Sequence, residues 1–298
     1  MLKKILVTGA NGFIGTALCR FLAHQRAVEV LGIGRRRVDL LNKNELRKFL
    51  GQYRPDCIFH LAGGRSGTPS QLINDNVLTT VNLLESIQSF EGFSPRVIIT
   101  GSAAEYGEVR GARRPIQENA PNHPAALYGW VKLLQTQAAL HYAGLGQDIV
   151  IARLFNILGP GVGSDMVPGK LACDILDLEK SSRRGTLNVS RLDVVRDYLD
   201  IRDIAQALYI LSAKGKAGEI YNICSQKGTT LRELLGSMIK TSSLSGTKLK
   251  ENKKIKPGVM YAVGSCMKFR RMTNWKPKYD LHQSALDTLA FYRQGRKP

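Results

Sequence analysis

Short apolar, β-branched runs alternate with longer stretches whose apolar positions recur at helical spacing through the first half of the chain. The runs at 4–8, 29–33, 57–60, 96–100 and 149–153 predict strands, and the stretches at 15–24, 43–53, 69–89 and 124–142 predict helices. Strands without a polar face, each followed by a helix, bury both surfaces of a sheet. The expected fold class is therefore α/β, a doubly wound parallel sheet.

After Arg153 this rhythm breaks. A Gly/Pro-rich loop at 156–163 leads to a helical stretch near 170–179 and a polar turn at 180–185. Segments 198–212 and 219–223 read as a helix and a strand returning to the main sheet, and 230–241 and 281–293 as helices flanking an irregular basic segment. This predicts one domain from 1–155 plus about 196–224, and a smaller lobe from about 156–195 plus 225–298.

Composition narrows the choices. A chain of 298 residues with 43% hydrophobic content can bury a large core. No stretch approaches the roughly 18 to 20 consecutive apolar residues of a membrane span, and Met1 leads straight into a strand-like run, so the expectation is a cytoplasmic protein without a membrane partner. Cys19, Cys57, Cys173, Cys224 and Cys266 are scattered, with no Cys-x-x-Cys pair and no His at ligand spacing, which predicts reduced thiols and no metal centre. Lys and Arg outnumber Asp and Glu by 43 to 24, a net +19 that favours acidic partners. The basic clusters lack interleaved aromatic residues on which bases could stack, so nucleic acid is not the expected partner.

Gly9-Ala10-Asn11-Gly12-Phe13-Ile14-Gly15 follows the first strand and enters a helix. Glycines there permit the bend, let backbone approach a pyrophosphate and let the helix pack on the strand, while the helix N-terminus favours the anion. The second strand runs into Gly34-Arg35-Arg36-Arg37, where a chain that binds NAD would place a carboxylate against the ribose hydroxyl. Arginines at that point suit a 2′-phosphate, so NADP(H) is the expected cofactor; a solvated basic turn is the alternative.

Tyr128 and Lys132 stand four apart on a predicted helix and share a face. A phenol beside an ammonium is a stronger acid than a free phenol, which would let Tyr128 exchange a proton with a hydroxyl or carbonyl near neutral pH. A surface i,i+4 pair is the structural alternative.

With these come His60-Leu61-Ala62-Gly63, Gly101-Ser102-Ala103-Ala104-Glu105-Tyr106-Gly107, Tyr128-Gly129-Trp130-Val131-Lys132, Arg153-Leu154-Phe155-Asn156 and Arg196-Asp197-Tyr198-Leu199-Asp200. In this order they resemble the extended short-chain dehydrogenases/reductases, the nucleotide-sugar epimerase/dehydratase group, over nearly the whole chain. The resemblance implies a Rossmann domain with a smaller C-terminal substrate lobe, and usually a homodimer. It implies that Ser102 joins Tyr128 and Lys132 in catalysis. Cofactor contacts then fall on Gly9, Asn11, Gly12, Phe13, Ile14, Gly15, Arg35, Arg36, Asp39, Leu40, Leu61, Ala62, Gly63 and Leu154, as well as on Tyr128 and Lys132. Substrate contacts fall on Ser102, Asn156, Val167, Lys170, Arg196 and Lys256, the diphosphate being held by Asn156, Lys170, Arg196 and Lys256. Solvated surface charge is the alternative for Lys170 and Lys256.

Family dehydratases carry an acid two positions after the catalytic hydroxyl; here that position is Ala104, with Glu105 next to it and open to recruitment by a shifted loop. The resemblance is nearest to reductases that finish deoxysugar synthesis. The expected function is NADPH-dependent reduction of the C4 ketone of a nucleotide-linked 4-keto-6-deoxy sugar, GDP-linked by preference. Alternatives are a nucleotide-sugar 4-epimerase or 4,6-dehydratase with tightly bound NAD(P), and a non-catalytic NADP-binding sensor or RNA-associated protein.

Overall fold

The structure is a computed structural model that describes residues 3–108, 114–181, 186–189, 191–240, 242, 244, 248–251 and 259–295. Its N-terminal half runs β1 (Lys3–Thr8), α1 (Phe13–Leu22), β2 (Val28–Ile33), α2 (Lys43–Tyr53), β3 (Cys57–His60), α3 (Pro69–Ile73), α4 (Thr79–Gln88), β4 (Arg96–Ser102), α5 (Leu127–Gly144) and β5 (Ile149–Leu154). The predicted strands 4–8, 29–33, 57–60, 96–100 and 149–153 fall on β1 to β5. The stretch 69–89 is not one helix. A π-helical turn, Asn74–Leu78, separates α3 from α4, and the hydroxyls of Thr79 and Thr80 donate to the carbonyls of Asp75 and Asn76 within it.

The second half runs β6 (Asn156–Leu158), α6 (Val167–Ser181), β7 (Thr186–Val189), β8 (Val195–Asp200), α7 (Ile201–Lys214), β9 (Ile220–Ile223), β10 (Gly228–Thr230), α8 (Leu231–Lys240), β11 (Lys248–Glu251), β12 (Tyr261–Ala262), α9 (Met267–Thr273) and α10 (Leu281–Arg293).

Six strands form the main sheet in the order β2-β1-β3-β4-β5-β9, every pair parallel. Alternate side chains of each strand feed opposite faces. Ile5 and Val7 join α1 and α7 on one side, while Leu6 joins α2 and α4 on the other. Each fully buried side chain of that size contributes roughly 1.5–3 kcal/mol. The chain goes from β1 outward to β2 and then crosses back to β3. The order therefore reverses between β1 and β3, and a crevice opens beyond Thr8 and His60.

A second sheet joins β10, β8 and β12, with β6 pairing on β8, and β7 pairs with β11. The stretch 198–212 was expected to be one helix returning to the main sheet. Instead Tyr198–Asp200 end β8, and the return begins only at α7. The switch is made by Asp200, whose carboxylate accepts from Arg202 N and caps α7. A third apolar cluster unites α6, β7, α8 and α10.

Candidate active site

The glycine turn is dictated by contact. Gly9 has a φ of 67°, and a Cβ there would lie 2.7 Å from Ala62 N. A Cβ on Gly15 would lie 2.2 Å from Gly9 O, so only glycine lets α1 close on β1. No side chain caps α1 at Gly12, which leaves its first-turn N–H groups to an anion.

In front of this turn, over the C-terminal ends of β1, β3, β4 and β5, lies a cleft of about 660 Å³. Gly9, Gly12, Phe13, Ile14, Gly15, Leu61, Ala62, Gly63 and Leu154 line it, and so do Ser102, Tyr128, Lys132, Asn156 and Arg196. A smaller cavity of about 180 Å³ shares Gly9, Ala62 and Gly63 with the cleft and adds Arg35, Asp39 and Leu40. Two joined cavities, an uncapped helix start and an arginine at the far end fit a dinucleotide with a phosphate on its adenosine side. Arg35 is held there by Asp75 at 2.5 Å.

Two residues expected at the cofactor line neither cavity. Asn11 turns its amide under Gly34, where a Cβ would come within 2.8 Å of Nδ2, and so braces the turn. Arg36 is exposed. Arg35 and Arg36 read as equal candidates in sequence, but a turn points successive side chains in different directions.

Ser102 ends β4, and Tyr128 and Lys132 stand one turn apart on α5. Burial pushes the Tyr128 hydroxyl above its ordinary pKa; the Ser102 hydroxyl and the Arg65 cation pull it down, and Glu105 adds to the rise. This corrects the expectation of a phenol acidified by Lys132. The Lys132 ammonium donates instead to Thr100 O at 2.5 Å and to Gln135 Oε1, and burial lowers its pKa to about 8 against the opposing pull of Glu105. At Tyr128, desolvation of the phenolate outweighs the charges nearby.

Glu105 is fully buried. One carboxylate oxygen accepts from Ser102 N at 2.6 Å and the other from Arg153 at 2.6 Å. Arg153 is itself unexposed and lies 4.4 Å from the Tyr106 ring centroid. The carboxylate thus holds the strand end that carries Ser102 and is turned away from the cleft. Ala104 lines the cleft and has no proton to move.

On the substrate side, Arg196 donates to Val195 O at 2.9 Å and Val259 O at 2.7 Å, which fixes it as part of the cleft wall. Val167 is exposed at the start of α6, and Lys170 pairs with Asp174 at 2.7 Å on the same helix; neither lines the cleft. Lys256 lies outside the described residues. Sequence reasoning missed Asn76, Arg65 and Asp165, which do line the cleft. Asn76 Nδ2 donates to Gly64 O at 3.0 Å, and Arg65 forms an ion pair with Asp165 from the opposite lobe. A cation directly after Gly63-Gly64 at the end of a strand was the available signal for Arg65. Asp165 sits a hundred residues further along the chain and gave none.

The doubly wound sheet, the glycine turn and the Ser/Tyr/Lys cluster in one crevice define a class, and comparison with known proteins agrees. Residues 5–224 match the model of the NAD dependent epimerase/dehydratase family, and the chain belongs to that family. Among its relatives is the GDP-6-deoxy-D-mannose reductase of Pseudomonas aeruginosa, 30% identical over 291 residues and 95% of each chain. Another is the GDP-6-deoxy-D-talose 4-dehydrogenase of Aggregatibacter actinomycetemcomitans, 28% identical over 84% of this chain and 83% of that protein. The solved structure of RMD from Pseudomonas aeruginosa, complexed with NADPH, superposes with a TM-score of 0.89 at 30% identity over 99% of both chains.

Proposed function

We propose that the protein is an NADPH-dependent reductase acting on the C4 ketone of a nucleotide-linked 4-keto-6-deoxy sugar, GDP-linked in preference to dTDP- or UDP-linked. The observation that carries the choice is the loop after Ser102. Ala104 offers no acid or base, and the one carboxylate beside it is tied to Ser102 N and Arg153. Elimination of water from the ring needs a further proton-transfer group, whereas reduction of a single ketone needs only a hydroxyl and a phenol. Relatives named for GDP-linked 6-deoxy sugars at C4 support the substrate class.

NADPH supplies the hydride when bound along the two joined cavities. Ser102 polarises the ketone oxygen through its hydroxyl. Tyr128, kept protonated at neutral pH by burial, gives its proton to the alkoxide that forms. Lys132, charged below about pH 8, stands one turn from Tyr128 on α5 and adds a positive charge to the same wall of the cleft. Arg35 receives the cofactor's extra phosphate. Asn156 and Arg196, with Lys256 from the C-terminal part of the chain, hold the substrate diphosphate and so orient the reacting carbon. The division of labour in this reading is that 1–155 with about 201–224 holds the cofactor, and about 156–200 with 225–298, which includes β8 and its Arg196, holds the nucleotide sugar.

A homodimer through α5 belongs to the same proposal. Leu127, Trp130 and Leu134 are 44%, 53% and 51% exposed along one stripe of that helix, beside the exposed Ile73 and Leu78. The helix carries one charged residue, the buried Lys132. On a chain of net +19, a neutral apolar face is where two copies can meet without repulsion. No helix among the described residues is long and apolar enough to cross a membrane, and a cytoplasmic site of action is proposed.

The deciding experiment incubates the protein with NADPH and 4-keto-6-deoxyhexoses linked to GDP, dTDP and UDP. Oxidation of NADPH, fastest with the GDP sugar, is expected. Epimerisation or dehydration of an intact nucleotide sugar without consumption of any keto sugar overturns the reading.

A further inference from the structure

A single buried chain of hydrogen bonds runs from the cofactor turn to Lys132. Thr8 Oγ1 meets His60 Nδ1 at 2.9 Å, His60 Nε2 meets Thr80 Oγ1 at 3.0 Å, Gln135 Nε2 donates to Thr80 Oγ1 at 2.8 Å, and Lys132 donates to Gln135 Oε1. Thr8, His60 and Thr80 are wholly buried, Gln135 is 1% exposed and Lys132 5%. From Thr8 to Gln135 these groups are buried, so the directions of their bonds can be worked out from what each is able to donate.

One bond decides them. The carbonyl of Asn76 accepts from Thr80 Oγ1 at 2.7 Å. A carbonyl only accepts, so the single hydroxyl proton of Thr80 points there. The Thr80 oxygen must then accept from both Gln135 and His60. His60 is consequently the Nε2–H tautomer, with Nδ1 accepting from Thr8, whose oxygen in turn accepts from Ala62 N at 3.3 Å. Burial and the Lys132 charge lower the His60 pKa to about 3, so the ring stays neutral and the pattern holds across the working pH range. The Gln135 amide is left one orientation, nitrogen to Thr80 and oxygen to Lys132.

We propose that Gln135 is a positioning residue for the reduction: its amide, locked by Thr80, sets both the place and the charge of the Lys132 ammonium, one helical turn from Tyr128 in the cleft wall. The inference rests on the reading of Tyr128 and Lys132 as the catalytic pair. The groups that bear on the ammonium are Glu105 from the turn after β4, neutral His60 from β3, Thr100 O from β4 and Gln135 on its own helix; Arg65 and Glu105 bear on Tyr128. Among the described residues, Thr100 O and Gln135 Oε1 are the acceptors of hydrogen bonds from Nζ.

The test compares Gln135→Leu, Gln135→Glu, Thr80→Val and Tyr128→Phe with the parent enzyme in two measurements: kcat against pH for the keto sugar, and thermal stability against pH without cofactor. Gln135→Leu removes an acceptor, so the ammonium gives up its proton at lower pH. The alkaline fall of kcat moves down, with KM for both ligands unchanged. Gln135→Glu adds a carboxylate and moves that fall up, on the order of one pH unit or more. Thr80→Val leaves the groups around Nζ in place but releases the amide. It moves the fall the same way as Gln135→Leu, by less.

The stability curves follow from linkage. Lys132 titrates at about 8 in the fold against 10.5 for an unperturbed lysine, so between those values the unfolded chain binds more protons and rising pH favours the fold. That rise starts earlier in Gln135→Leu and is suppressed in Gln135→Glu, the difference curves cancelling the other lysines. If the two Gln135 variants move either measurement in the same direction, or not at all, while Tyr128→Phe is inactive, the positioning role is wrong and the catalytic pair stands. If Tyr128→Phe keeps full turnover, the catalytic reading falls, and the stability curves alone decide whether Gln135 sets the charge of Lys132. Should the Gln135 variants fail to fold, an unmoved kcat profile in Thr80→Val overturns the locking of the amide.

Discussion

The active-site tyrosine illustrates how one atom separates binding from turnover. Tyr128→Phe keeps the ring that packs in the cleft and loses only the oxygen beside Ser102, so it should bind NADPH as the parent does and lose roughly a hundredfold or more in kcat. Isothermal titration beside steady-state kinetics checks both halves. Arg35 and Arg36 differ in a way the sequence does not disclose, since only Arg35 lines the adenosine-side cavity. Arg35→Ser should weaken NADPH by about 1.5–3 kcal/mol, the range of a hydrogen bond to a charged group, and leave NADH nearly unchanged. Arg36→Ser should change neither, and equal losses from both variants would return the pair to a shared role.

At the scale of an element, the same substitution has opposite consequences in two helices. Gly15→Ala places a Cβ 2.2 Å from Gly9 O, so α1 must move off β1; the variant should lose stability and NADPH binding together. Gly236→Ala in α8 meets nothing within 4 Å and should raise stability by about 0.5–1 kcal/mol, the helix cost of glycine. Paired melting curves with and without NADPH separate the two cases. The helix 69–89 shows the limit of periodicity. Its apolar spacing is continuous enough to predict one helix, but the chain inserts a π turn at Asn74–Leu78, whose Asn76 carbonyl takes the Thr80 hydroxyl proton. That spacing gave no sign of the turn.

For the whole molecule, a ligand that binds only the folded chain adds stability by mass action. NADPH at a hundred times its Kd should add about 2.7 kcal/mol, and Arg35→Ser should need correspondingly more cofactor for the same shift in Tm. The +19 charge makes association depend on where neutral surface is left, and α5 supplies it. Trp130→Glu and Leu134→Glu should yield monomers by sedimentation velocity without unfolding, because both side chains are already half exposed. A monomeric parent, or a dimer that survives both changes, removes α5 as the interface.

Sequence alone determined what depends on local spacing and residue type. The strands β1 to β5, the helices α1, α2 and α5, the glycine turn, the Tyr128/Lys132 helix face and the absence of an acid at position 104 were legible, because each is set within a few residues. Tertiary structure decided what depends on which distant group arrives beside another. It turned Glu105 onto Arg153, left Lys170 to Asp174, sent Val195–Asp200 into the second sheet, and brought Asp165 across to Arg65. It also reversed the expected effect on Tyr128. A lysine four residues on is visible in sequence, but the burial that raises the phenol's pKa is set by what packs around it.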